Sequence, residues 1–140
     1  MQTHLLVLLG SFIGGLFGFI FGLLYLAFII AIFVGLWKMY EKAGKPGWAA
    51  LIPIYNIIVL HEIVGRDLVK ILLLLIPFVN IYFFITLYVS LAKSFGKRET
   101  GEYVLTIFFA PFYLGLGDAR YVGPSEGPGA VLNGLGNPSY

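Results

Sequence analysis

Few side chains in this sequence have types and spacings that could do chemistry. His61 and Glu62 are the adjacent ionisable pair inside an apolar segment, followed by Arg66. Ionisable groups within a membrane segment are by default candidates for a proton or ion site. Both lie within a turn of Gly65-Arg66, however, and Glu62 is spaced to pair with Arg66 at i,i+4, so an interfacial ion pair is expected first. No metal site and no cofactor are expected. His4 is the other histidine, cysteine is absent, and there is no His-x-x-His or carboxylate cluster. Ser90-Leu91-Ala92-Lys93 and Ser94-Phe95-Gly96-Lys97 fit Ser-x-x-Lys, a spacing that lets a lysine amine activate a serine. Two such hits at one helix end are what small residues and basic anchors give by chance, so no catalysis is expected.

The remaining polar residues of interest come in a repeat. Leu51-Ile52-Pro53-Ile54-Tyr55-Asn56 and Leu75-Ile76-Pro77-Phe78-Val79-Asn80 share Leu-Ile-Pro-x-x-Asn at one interval, and Ala110-Pro111-Phe112-Tyr113 is a fainter third echo without the asparagine. A proline leaves the carbonyls of Ala49 and Leu73 without their helical donors, and in lipid those oxygens need other partners. The amides of Asn56 and Asn80 could supply them and fix a kink. The functional alternative is a polar transport site where two broken helices meet, using Asn56, Asn80, His61 and Glu62.

The elements that carry these residues are membrane elements. The 140-residue chain is 59% hydrophobic and 11% charged, against about 25% charged for an average soluble domain. Its apolar runs are too long for core helices, so lipid is the expected solvent. The formal charge of +2 is spread over loops and gives nucleic-acid binding no support. Met1-Gln2-Thr3-His4 lacks the basic start of a signal peptide and the run after it is too long for one, so the segment is expected to be retained.

Three regions are expected: a long N-terminal helix over 1–37, a bundle of Pro-interrupted membrane helices over 38–121, and a Gly/Pro-rich irregular tail over 122–140. As one helix, Leu5 to Trp37 would be about 50 Å long against a hydrocarbon core of about 30 Å. It must tilt, kink at Gly14-Gly15, or run partly outside the bilayer. It carries Gly10, Gly14, Gly18 and Gly22 at intervals of four, widened by Ser11 and Gly15. Such a ridge lets a second helix approach closely in a right-handed crossing. Apolar segments follow at Trp48–Val64, Ile71–Ala92 and Tyr103–Gly117, the first of them crossing or re-entrant and Ile71–Ala92 the cleanest span.

Four crossings would place Lys38, Lys42, Lys45, Lys93, Lys97 and Arg98 inside and Arg66, Lys70 and Arg120 outside, with the N-terminus outside. The fold class is therefore an all-α membrane protein of about four transmembrane or re-entrant helices. The expected role is structural: self-association through the glycine face, or docking by it into a larger membrane complex. A small transporter or channel is the alternative.

The residues Gly44-Lys45-Pro46-Gly47-Trp48, both Pro-x-x-Asn blocks, Leu91-Ala92-Lys93-Ser94-Phe95-Gly96-Lys97 and Gly117-Asp118-Ala119-Arg120-Tyr121-Val122-Gly123-Pro124 resemble a family of small uncharacterised bacterial polytopic inner-membrane proteins. The resemblance covers roughly Leu36 to Pro124. It implies a cytoplasmic membrane and no established activity. The signal-peptidase label attached to some members is not carried over, because the Ser-Lys pairs sit at a membrane end and the chain has no catalytic domain beside it. The glycine series lies outside the resemblance.

Overall fold

The computed structural model describes residues 1–127, so the expected tail is seen only from Val122 to Gly127, and 128–140 lie outside the described residues. The described chain is helical without strands. It divides into two units, Met1–Ile32 and the remainder from Phe33.

The first unit is the N-terminal part of α1 (Gln2–Lys42), a helix unbroken through Gly14 and Gly15 and about 60 Å long. Residues 1–28 are all exposed, Leu8, Phe12, Phe19 and Tyr25 among them at 65–70%. A helix that is apolar all round is stable only in an apolar surrounding. It is also the one helix among the described residues long and apolar enough to cross a membrane. The helix passes the expected end at Trp37 because Lys38-Met39-Tyr40-Glu41-Lys42 contains no helix breaker, and the chain turns only at Gly44, with φ 73°.

The second unit contains the end of α1, α2 (Pro53–Val64), α3 (Val79–Ser94) and α4 (Thr100–Ala110), with 3₁₀ segments at Gly47–Leu51 and Leu68–Leu75 and a π-helical segment at Pro111–Leu116. The expected Pro kinks are replaced by helix starts. A residue before proline is driven out of the α region. Ile52 accordingly sits at φ −103°, ψ 108° and Ile76 at φ −89°, ψ 117°, both extended. Each ends a 3₁₀ segment, and an α-helix begins just beyond it.

Pro53 is the first residue of α2, where its missing N–H costs nothing. In the second copy Phe78 takes a positive φ of 67° and α3 starts one residue later. In both copies the asparagine N–H closes the first turn on the pre-proline carbonyl: Asn56 to Ile52 at 2.7 Å and Asn80 to Ile76 at 2.9 Å. The expected span Ile71–Ala92 is therefore two limbs separated by Ile76–Phe78. The third echo differs. The break falls at Phe109 (φ −131°, ψ 27°), and Pro111 opens the π-helical segment.

Met39, Tyr40, Val59, Ile63, Leu91 and Leu114 are fully buried and join the end of α1 to the other helices. Close backbone approach occurs here. A Cβ on Gly35 would collide with the Pro111 carbonyl group, and one on Gly115 with the Gly35 carbonyl.

Candidate functional site

The polar residues of the second unit are drawn together around Arg66. Helix α2 ends at Gly65, whose left-handed φ of 76° a side chain would strain, and the Arg66 N–H returns to the His61 carbonyl at 2.8 Å. Asp67 then starts the next 3₁₀ segment by accepting from the Val69 N–H at 3.1 Å. Between these two local devices the Arg66 side chain is pointed inward, 8% exposed.

Its guanidinium donates to the Phe83 carbonyl and the Thr86 hydroxyl, both at 3.3 Å, to Ser90 Oγ at 3.2 Å, and to Glu126 at 2.5–3.1 Å. The Ser90 hydroxyl also donates to Glu126. Burial opposes the charge of Glu126. The hydrogen bonds from Arg66 and Ser90 and the positive charges of Arg66 and Lys70 outweigh it, and the carboxyl is held below the ordinary glutamate range. A cleft of about 420 Å³ opens beside this cluster, with Lys70, Tyr82 and Lys93 on its walls.

Glu126 reaches Arg66 because the chain after Gly117 is tied down as a strap. Tyr121 donates to the Ile63 carbonyl at 2.6 Å and packs edge-on against Phe95. The Val122 N–H meets the Ser94 carbonyl at 2.8 Å, Ser125 Oγ meets the Ser90 carbonyl at 2.6 Å, and the Glu126 N–H meets the Val64 carbonyl at 2.7 Å. This start of the tail lies on the chain's own helices. At the strap's root Lys42 Nζ donates to the carbonyls of Leu114 (2.8 Å) and Gly117 (2.7 Å). Tyr40 donates to the Asn56 side chain, whose amide donates to the Ala50 carbonyl at 3.2 Å.

The expected Glu62–Arg66 pair is not formed. Glu62 lies on the exposed side of α2 and bonds Lys45 at 2.6 Å, while Arg66 takes Glu126. Adjacent positions on a helix point about 100° apart. His61 is therefore buried while Glu62 is not, and His61 Nδ1 lies 2.9 Å from the Ile57 carbonyl. Lys93 Nζ lies over the Tyr103 ring at 5.9 Å, and Lys97 meets Glu102 at 3.5 Å. Ser90 and Ser94 are engaged with Glu126, Ser125 and the Ser90 carbonyl. Among the described residues no three His, Asp or Glu side chains come together as a metal site would require.

Gly10, Gly14, Gly15, Gly18 and Gly22 have nothing within 4 Å of the place a Cβ would take, and Ser11 beside them is exposed. Sequence reasoning missed Glu126, Gly35 and Gly115. Glu126 stood in a stretch without periodicity, and the two glycines belong to no series.

No curated protein and no solved structure matches the chain. One family model does, DUF5684, a family of unknown function, over residues 48–124. That region contains all three proline breaks, Arg66 and most of the strap, and it is more than half of the chain, which therefore belongs to this family of unknown function.

Proposed function

We propose that this protein is a structural component of a cytoplasmic membrane that self-associates through the glycine face of α1 and performs no catalysis. The observation that carries the reading is the exposure of residues 1–28 together with the open space over Gly10, Gly14, Gly15, Gly18 and Gly22. In lipid such a ridge gains by close van der Waals contact with another helix, and two grooves flanking it fit a helix with neighbours on both sides. The occupant is a second copy of this chain. A different membrane subunit on the same face is the outcome that would replace it.

Residence in the membrane rests on α1, and the Pro-broken segments enter the bilayer as well. The lysines at 38, 42 and 45 support an orientation with the end of α1 in the cytoplasm and the N-terminus outside. Replacing Gly14 and Gly18 by leucine is expected to reduce the native mass in mild detergent to that of a single chain. An unchanged mass sinks the proposal, and loss of mass with release of a different polypeptide points to a heteromeric complex. The transport alternative needs His61 and Glu62 to act together with Asn56 and Asn80. It predicts a solute flux in liposomes that Glu62→Gln or Asn56→Leu abolishes.

A further inference from the structure

The limbs of the second unit are short. Helices α2, α3 and α4 are about 18, 24 and 16 Å long, below the 30 Å or so of a hydrocarbon core. The contacts between their ends decide where the chain goes after each limb. Lys45, before the first limb, bonds Glu62 near the end of α2 at 2.6 Å. Arg66, before the second, bonds Ser90 near the end of α3 at 3.2 Å. Glu102, at the start of α4, accepts from the Tyr113 hydroxyl beyond the Phe109 break at 3.2 Å. The first two limb pairs thus leave a base, turn at the proline segment and come back to the same base, and the third bends at Phe109 with Tyr113 tied back to Glu102.

The three bases are also joined to one another. Lys42 reaches Gly117, Tyr121 reaches Ile63, Val122 reaches Ser94 and Glu126 reaches Arg66. Charge follows the same division. The stretches 46–61, 71–92 and 103–117 contain no Asp, Glu, Lys or Arg, and every charged residue of the chain falls between or beside them. At the opposite end the breaks expose apolar side chains: Ile54 is 76% exposed, Phe78 88% and Phe108 73%.

We propose that residues 47–116 enter the bilayer as three re-entrant hairpins from one side, with the turns at Pro53, Pro77 and Phe109-Pro111 in the lipid and all charged segments in one aqueous compartment. The Pro-x-x-Asn blocks suit that role. At a turn in lipid an unpartnered backbone donor is costly. Proline removes one donor, and the asparagine N–H satisfies the pre-proline carbonyl. The charge distribution, which separates only partly under four crossings, becomes one-sided. By the positive-inside rule that side is the cytoplasm.

The inference rests on the membrane reading, and one experiment separates the two. The chain lacks cysteine, so single cysteines replacing the exposed Lys38, Asp67, Arg98 and Arg120 can be probed with a membrane-impermeant maleimide. Right-side-out and inverted vesicles from an expressing bacterium would be compared. All four are expected to label in inverted vesicles and to be protected in right-side-out ones. Lys38→Cys and Arg98→Cys labelling on one face with Asp67→Cys and Arg120→Cys on the other means four crossings and overturns the hairpins. Labelling of all four in both orientations overturns membrane insertion itself, and labelling in neither overturns the aqueous placement of the bases.

Discussion

Glycine does opposite things in the two units of this chain. In the unit from Phe33, Gly35 and Gly115 sit where helix backbones touch, and neither could carry a Cβ without moving its neighbour. In Met1–Ile32 the glycines are regularly spaced, and nothing stands within 4 Å of the Cβ each would carry. The same contrast runs through the rest of the chemistry. From Phe33 onward a core of side chains is buried and carbonyls are claimed by Lys42, Tyr121 and Ser125, whereas residues 1–28 are all exposed. A regular small-residue ridge is thus no sign of internal packing, and the internal close contacts are made by glycines without a pattern, Gly35 and Gly115 among them. Substitutions in the two units should accordingly register in different measurements.

The largest effect is expected at Arg66. Arg66→Ala leaves Glu126 half-buried without its cation and detaches the strap, at a cost of about 3–5 kcal/mol, read as a fall in thermal stability in detergent. The same pair sets a pH dependence. The folded-state pKa of Glu126 is depressed from its ordinary 4.5, so its contribution is present above that value and is lost as pH falls through the folded-state pKa. Stability should drop on acidification below about pH 4.5, and Glu126→Gln should flatten that part of the profile. A profile that Glu126→Gln leaves unchanged removes Glu126 from the account.

Gly35→Ala comes next, about 1–3 kcal/mol from overpacking against Pro111. Gly14→Ala should cost nothing measurable by the same assay, and equal losses at both glycines would break the comparison. Lys45→Ala removes a partly exposed pair with Glu62 and is expected to cost below about 1 kcal/mol. Gly14→Leu with Gly18→Leu should likewise leave stability within about 0.5 kcal/mol. That double variant is where native mass should fall, sharpening the division between a unit that packs on itself and a helix that packs on something else.

The helical class and the long apolar first helix were legible because they rest on local quantities: run length, charge density and the absence of breakers up to Gly44. The proline positions were legible as interruptions too, since proline acts on its own residue and the one before it. Whether each interruption bends a helix or reverses the chain was not. Reversal depends on Lys45 finding Glu62 and Arg66 finding Ser90, contacts between residues well separated in the chain. The partner of Arg66 shows the same limit. Glu62 is closer in sequence, but it faces outward on α2, and the strap brings Glu126 to a guanidinium already turned inward by Gly65 and Asp67. Composition and spacing alone therefore determined the expected solvent of this protein and where its chain breaks. The tertiary structure decided which carboxylate meets which cation and which glycines touch, because those outcomes depend on the direction a side chain leaves its helix and on segments that become neighbours only after folding.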